Sequence, residues 1–331
     1  MELLDWCCNQ KLTLSVIIIR NQLMRVGGFM SQAIYENLQK LNTPKYITQN
    51  AKMSDYTTFK VGGSADFLVE IHSKEQLMEN VKYLELNNIS YLILGNGSNL
   101  LFSDNGYRGV ILHLNPFNKG MEIDGEKITV SAGEQISQVA EFAMKNGLTG
   151  LEFAAGIPGT IGGAIIMNAG AYDGEMKDVV YSVTFMNPNG RVVQLGNEEL
   201  DFKYRSSILK LTKAIVIEIE FKLSRGEKDE ILAKMNDFLA KRKEKQPLMY
   251  PNAGSTFKRP VGNYAGKLIM EAGLSGYRVG GASVSTKHCG FIINDKNASS
   301  QDIRSLIDYV IQKVSENSGV ELETEVIVLP E

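Results

Sequence analysis

The sequence predicts a mixed α+β fold of two or three domains, and three observations carry that prediction. At 331 residues the chain exceeds what one ordinary core holds. Its strand-like runs are joined largely by short turns, among them Asp124-Gly125 and Asn187-Pro-Asn-Gly190, which read as hairpins. Helical patterns fall between these runs without the repeated βα alternation that a doubly wound sheet needs.

In chain order, an amphipathic helix is predicted over Ser31–Leu41, a strand over Phe67–Ile71 and a helix over Lys74–Asn87, with Leu77, Val81 and Leu84 on one face. Tyr91–Leu94 is a short buried strand that runs into Gly95-Asn-Gly-Ser-Asn99. Strands follow at Gly109–Leu114, Met121–Ile123 and Lys127–Ser131, then a helix over Gln135–Asn146 closed by Gly147. Val179–Met186, Arg191–Leu195 and Ala214–Leu223 read as strands, and Lys228–Lys243 as a helix with a basic end. A last helix begins at Ser299 or Ser300, where Ser299-x-x-Asp302 has capping-box spacing, and Glu321–Leu329 closes as a strand. The first 29 residues read apart from the rest. Met30 follows Arg-Val-Gly-Gly-Phe, whose glycine codons are guanine-rich like a ribosome-binding site, so residues 1–29 are expected to be a non-native or disordered extension.

Composition removes several function classes. Net charge is −3, so no global basic field favours nucleic acid or an anionic membrane. Three cysteines (Cys7, Cys8, Cys289) make no disulfide framework or C-x-x-C pair, and the three histidines have no metal-site spacing. No apolar run approaches the roughly 18 residues of a membrane span. A reducing, cytoplasmic setting without a structural metal is the expectation.

Glycine is where the chemistry concentrates. Eight of the 31 glycines fall between residues 147 and 174. Gly95–Asn99 can curl its backbone so that successive N–H groups meet one anion, or it is a plain strand-to-loop turn. Gly156-Ile-Pro-Gly-Thr-Ile-Gly-Gly163 with Asn168-Ala-Gly-Ala-Tyr172 is apolar and uncharged. It suits close backbone approach to a large flat ligand, or a tight seam between domains. Neither segment fits a Walker loop or G-x-G-x-x-G. In Phe202-Lys-Tyr-Arg-Ser-Ser207, Arg205 can grip a carboxylate or stabilise an enolate; alternatively it caps a helix or pairs with Glu198 or Glu199. Ser255 follows a small Ala-Gly step and is a proton donor if its conjugate base is stabilised, and no G-x-S-x-G marks a hydrolase. Gly276–Ser283 with Lys287-His288 mixes Gly, Tyr and Arg, as a sugar- or phosphate-contacting loop does. In Glu321-Leu-Glu-Thr-Glu325 the three carboxylates alternate onto one side of a strand, as an acid or charge partner or as a solvated face.

Over residues 40–331 these segments together resemble the UDP-N-acetylenolpyruvoylglucosamine reductase family, in its shorter branch typical of Gram-positive bacteria. The matching stretches are Thr57–Ala65, Gly95–Asn99, Gly156–Gly163 with Asn168–Tyr172, Tyr204–Ser206, Asn252–Lys258, Gly276–Gly281 and Leu322–Val326. The resemblance implies a flavin-binding fold of the vanillyl-alcohol-oxidase (PCMH) type in two subdomains, residues 30–97 and 98–227 with the terminal strand 322–331. A substrate-binding α+β domain over 228–321 completes it. Non-covalent FAD is implied at Gly95, Asn96, Gly97, Ser98 and Asn99, and at Gly156, Pro158, Gly159, Thr160, Gly162, Gly163, Ala169, Gly170, Ala171 and Tyr172. Arg205, Ser255 and Glu325 take the catalytic roles, and Tyr204, Arg242, Tyr250 and Lys258 the substrate contacts. Arg259 stands where some relatives carry Asn at the uridine.

The implied reaction is NADPH-dependent reduction of UDP-N-acetylglucosamine enolpyruvate to UDP-N-acetylmuramate. Hydride passes from flavin N5 to the enol methylene carbon, and the proton comes from Ser255. A monomer or weak oligomer with no nucleic-acid or membrane partner is expected. The competing readings are a flavin-dependent oxidase of a hydroxylated small molecule and a non-catalytic sugar-nucleotide-binding protein.

Overall fold

The computed structural model describes residues 28–117 and 120–330, so the N-terminal segment through residue 27 lies outside the described residues. Helix α1 (Gly28–Leu41) leads into β1 (Ile47–Lys52), β2 (Ser64–Ile71), α2 (Lys74–Leu86) and β3 (Tyr91–Leu94). After β4 (Leu100–Leu101) and β5 (Tyr107–Leu114), the order β1-β2-β5-β3 forms a mixed sheet: β1 runs antiparallel to β2, while β2 and β3 both flank β5 in parallel. Ser73 starts α2 by accepting from the Gln76 amide at 3.1 Å.

A second sheet follows from β6 (Glu122–Asp124), β7 (Lys127–Ser131), β8 (Val180–Met186), β9 (Val192–Gly196) and β10 (Ile215–Lys222). Its order is β9-β8-β10-β7-β6, antiparallel throughout. In the second half of β10, buried Ile217, Ile219 and Phe221 alternate with the more exposed Glu218, Glu220 and Lys222, which sets the face that turns inward. Between β7 and β8 lie α3 (Ile136–Lys145) and the short α4 (Ile161–Ile166). Gly147 ends α3 at φ 66°, the conformation expected of a residue just past a helix. One core joins the two sheets: Phe67, Val69 and Leu112 of the first pack in the same cluster as Val130, Phe185, Ile219 and Phe221 of the second.

The short helix α5 (Ile208–Leu211) precedes β10, and α6 (Lys228–Lys245) follows it. Ile231 and Met235 of α6 belong to that two-sheet core, so this helix packs on the two-sheet body and not on the C-terminal one. The C-terminal body comprises α7 (Ala265–Glu271), a small antiparallel sheet of β11 (Arg278–Val279), β12 (Ala282–Val284) and β13 (Ile292–Asn294), and α8 (Ser300–Ser318). Its core is built on Leu268, Ile269, Ile303, Leu306 and Val310, and it also takes in Phe59, Val61 and Leu101 from the first body.

The strand expected over Glu321–Leu329 forms only at β14 (Ile327–Val328), which pairs in parallel with β4. Residues just before it bond instead to the 256–258 segment, through Lys258 N to Glu323 O and Glu325 N to Thr256 O, both 2.8 Å. The predicted alternation therefore breaks. Glu323 is largely exposed and paired with Lys258, whereas the Glu325 side chain is buried to 15% exposure.

The expected capping box of α8 is present, with Ser299 accepting from the Asp302 amide and the Asp302 carboxylate accepting from Ser299 N. The two amides between them are answered from the other body, because Asp104 accepts from Ser300 N at 2.8 Å and Gln301 N at 3.0 Å. A carboxylate there satisfies orphan donors and complements the helix dipole. Asp104→Ala should lower the unfolding free energy by about 1–2 kcal/mol in urea titration, with Asp104→Asn losing less. Equal stability of Asp104→Ala and wild type would show that this cap contributes nothing.

Candidate active site

A cleft of about 360 Å³ opens where the end of β3, the glycine loops before α4 and the C-terminal body meet. One wall is Gly95–Asn99. Gly97 has φ 58°, and a Cβ there would stand 2.3 Å from Tyr56 O; a Cβ on Gly95 would stand 2.2 Å from Thr160 Oγ1. Only glycine lets this loop approach Tyr56 on one side and Thr160 on the other so closely. Asn96 is locked to Gln135, at the start of α3, by a reciprocal amide pair of 2.6 and 2.8 Å. The amides of Asn96, Gly97 and Ser98 donate to no protein acceptor among the described residues, which leaves three successive N–H groups at the rim of the cleft for an anion.

The second wall is Pro158–Thr160, Gly162 and Gly163 of α4, and Ala169–Ala171. Gly162 lies against Ala132, where an added Cβ would come within 2.9 Å of the alanine methyl. Apolar side chains of Leu92, Ile136, Ile157, Ile215 and Val216 complete this half.

The third wall carries the reactive side chains. Arg205 sits at φ 53° in a tight turn closed by Lys203 N to Ser206 O (3.0 Å) and Ser206 N to Lys203 O (3.1 Å). Its Nε donates to Glu325 Oε1 at 2.6 Å, a partner 120 residues away in sequence rather than the neighbouring Glu198 or Glu199. The pair is shielded, with side-chain exposures of 22% and 15%. Burial pushes the Glu325 carboxyl above its ordinary range, and the opposing pull of Arg205, Lys210 and Lys258 does not cancel it. Ser255 also lines the cleft, between Gly254 at φ 75° and Thr256. Thr256 places it: its amide donates to Gly290 O, its hydroxyl accepts from Ile292 N, and its carbonyl accepts from Glu325 N. Ser255 and Glu325 thus reach one site through paired backbones.

Of the residues named from sequence, the structure brings into this cleft Gly95–Asn99, Pro158, Gly159, Thr160, Gly162, Gly163, Ala169, Gly170, Ala171, Arg205, Arg242, Ser255 and Glu325. Five stand elsewhere. Gly156 backs onto the stem of Arg242, and Tyr172 stacks flat on Phe238 of α6 at 4.6 Å. Tyr204 lies under the Arg205 guanidinium, and its hydroxyl accepts from Arg259 N at 3.1 Å. Lys258 pairs with Glu323 at 2.7 Å. Tyr250 lines a separate cavity of about 250 Å³ with Arg278 and Asp295. The sequence reading also passed over Lys210 and Gln246, both in the cleft wall. Lys210 follows Arg205 by five residues in the same short segment, so the density of cations there was the available signal. Gln246 carries none in sequence; its Oε1 is buried without a donor.

The donor set fits a flavin nucleotide. Unpaired amides suit its pyrophosphate, apolar side chains and close glycine backbone suit a flat ring, and the orphaned Gln246 Oε1 offers an acceptor to a ring N–H. Among the described residues no group of His, Cys, Asp and Glu stands together as a metal site, and no helix is long and apolar enough to cross a membrane.

Comparison with known proteins agrees with this geometry. A family model described as FAD binding domain matches residues 65–196, and one described as UDP-N-acetylenolpyruvoylglucosamine reductase, C-terminal domain, matches residues 246–329. The chain is 47% identical over 302 residues to the UDP-N-acetylenolpyruvoylglucosamine reductase of Caldanaerobacter subterraneus subsp. tengcongensis, covering 91% of this chain and 100% of that one. The Clostridium novyi protein of the same name is 47% identical over 298 residues, covering 90% and 97%. The crystal structure of UDP-N-acetylenolpyruvylglucosamine reductase from Thermus caldophilus superposes with a TM-score of 0.72 at 35% identity, over 86% of this chain and 98% of that one. The expected fold, an FAD-binding body of the PCMH type with a C-terminal α+β domain, is borne out. On sequence, fold and site together, the chain belongs to the UDP-N-acetylenolpyruvoylglucosamine reductase family.

Proposed function

We propose that this protein is the UDP-N-acetylmuramate dehydrogenase of peptidoglycan precursor synthesis, reducing UDP-N-acetylglucosamine enolpyruvate with NADPH. The observation that carries the site assignment is the partly buried Arg205–Glu325 pair lining the same cleft as Ser255 and the unpaired loop amides. The two-sheet body holds FAD, the C-terminal body holds the sugar nucleotide, and α6 braces the first body at their junction. A dinucleotide and a sugar nucleotide as substrates support a cytoplasmic reaction.

FAD held against the Gly95–Asn99 and Pro158–Gly163 walls would supply hydride, drawn from NADPH, to the methylene carbon of the enolpyruvyl ether. The amides of residues 96–98 hold an anionic phosphate in place. Arg205 faces the carboxylate of the enolpyruvyl group, and Glu325 aims that guanidinium through its 2.6 Å bond. A fixed cation in a shielded site stabilises negative charge as it builds on the carbon next to the carboxylate. Ser255 Oγ then gives its proton to that carbon and completes the lactyl ether. An oxidase reading lacks a use for this cation–hydroxyl set, and a non-catalytic reading lacks a use for the shielded carboxyl.

Two measurements follow. In Ser255→Ala, reoxidation of the reduced flavin by the enolpyruvate should slow by about 10²–10⁴-fold, far more than bleaching by NADPH does. Equal slowing of both half-reactions would make Ser255 structural. Glu325 gives a pH signature. Its folded midpoint lies above the ordinary 4.5, so the native state binds its proton more tightly than the unfolded chain. Native stability contributed by this group is therefore lost as pH rises from 4.5 through the raised midpoint. The wild-type Tm should fall relative to that of Glu325→Gln across this window, and a pH-independent difference would refute the raised midpoint.

A further inference from the structure

Three cations line the cleft without a carboxylate partner among the described residues, Lys210, Lys213 and Arg242, and only Lys210 is hydrogen-bonded to the segment that carries Arg205. Lys210 lies on α5, half-buried, and its Nζ donates to the carbonyl oxygen of Arg205 at 3.2 Å. It lines the same cleft as Arg205, Ser255 and Glu325. The neighbouring cations are already answered. Arg205 is paired with Glu325 at 2.6 Å, and Lys258 with Glu323 at 2.7 Å. Among the described residues no carboxylate forms an ion pair with Lys210, although Glu325 is near enough to act on it through space.

With Arg205 and Lys258 each paired, Lys210 keeps an unpaired charge beside them, and it is partly buried where Lys213 of the same wall is exposed to water. A half-buried ammonium with one carbonyl partner has lost much of its hydration and has not regained it from protein. Burial and the like charge of Lys258 accordingly hold its pKa below the ordinary range, against the pull of Glu325. Such a group gains most from an anion that arrives with the ligand. Two of its three N–H bonds remain for that anion, because only one is committed to Arg205 O.

We propose that Lys210 binds the carboxylate of the substrate directly and shares it with Arg205, making it a substrate-binding residue of this site. The proposal rests on the reductase reading, since it takes the anion to be the enolpyruvyl carboxylate. The bond from Lys210 Nζ to Arg205 O also ties the two cations into one unit, so both approach the carboxylate from a fixed geometry. The carboxylate distinguishes this role from general phosphate attraction, and that difference makes it measurable.

The experiment titrates oxidised, FAD-loaded protein with two ligands, following the flavin absorbance: UDP-N-acetylglucosamine enolpyruvate, and UDP-N-acetylglucosamine, which has no carboxylate. In Lys210→Met the affinity for the first should fall about 10- to 100-fold, as expected for loss of a charge-assisted hydrogen bond, while the affinity for the second holds. Lys210→Arg should recover most of the loss. Lys210→Gln keeps a donor for Arg205 O without the charge and should behave as Lys210→Met does, which gives the answer even if the methionine variant fails to take up FAD. Equal weakening for both ligands, or unchanged affinity for the enolpyruvate, overturns the role of Lys210. Wild-type protein that carries FAD yet neither binds nor is reoxidised by the enolpyruvate overturns the reductase reading itself.

Discussion

The site depends on how the last residues of the chain return between the two bodies. Ile327 and Val328 add to the first body alongside Leu100 and Leu101, while Glu323 and Glu325 bond to the 256–258 segment of the second. One short stretch is thus hydrogen-bonded to both sides of the cleft. Asn99, at the end of the glycine loop, donates from its side chain to Glu325 O at 3.1 Å, so the same residue that faces Arg205 is also tied to the anion-binding wall. Backbone bonds carry no sequence specificity, but they fix position to a few tenths of an ångström, which is what a proton donor and a guanidinium acting on adjacent atoms require.

Around that seam the two bodies behave as parts of one packed structure. Phe59, Val61 and Leu101 sit in the C-terminal core, the Asn294 side chain donates to Phe59 O at 3.0 Å, and Asp104 caps α8 across the junction. Ala253 and Phe257, which flank Ser255 in the chain, belong to the same core as Phe59, Val61 and Leu101. The reactive wall is therefore backed by buried apolar contact and satisfied polar groups, while the opposite wall is backbone held close by glycine. The rigid side presents side chains that must be aimed, and the glycine side presents N–H groups that must be unobstructed.

Local chemistry was legible in the sequence, and long-range pairing was not. Glycine at 95 and 97 announced close approach because an added Cβ would stand 2.2 Å from Thr160 Oγ1 at the first and 2.3 Å from Tyr56 O at the second. The Ser299–Asp302 cap and the Gly147 terminator follow from spacing alone, and both are present. Arg205 illustrates the limit. Its residue type and polar turn suggested carboxylate recognition, but its partner is 120 residues distant and no local pattern names it. Tyr172 shows the converse failure: its place beside a glycine loop suggested a ligand contact, yet its ring finds a better apolar partner in Phe238 on a helix that sequence assigned to another body. Glu321, Glu323 and Glu325 looked equivalent because a strand alternates its faces. Once the strand shortens to two residues, hydrogen bonding to 256–258 decides each environment separately.

The charge balance closes the argument about why such a cleft suits an anionic substrate in an acidic protein. With net charge −3, the molecule as a whole does not attract a sugar nucleotide. The attraction has to be built locally, from groups whose hydration is partly removed before the ligand arrives. Burial lowers the pKa of Arg242 and of Lys210 in the cleft wall, and it raises that of Glu325. All three shifts have burial as their largest cause, and all three mark a charged form that water no longer fully supports. An incoming anion relieves the two cations and leaves the carboxyl, shielded by Arg205, as the group least able to repel it. Binding and orientation then draw on one quantity, the hydration these side chains gave up when the protein folded.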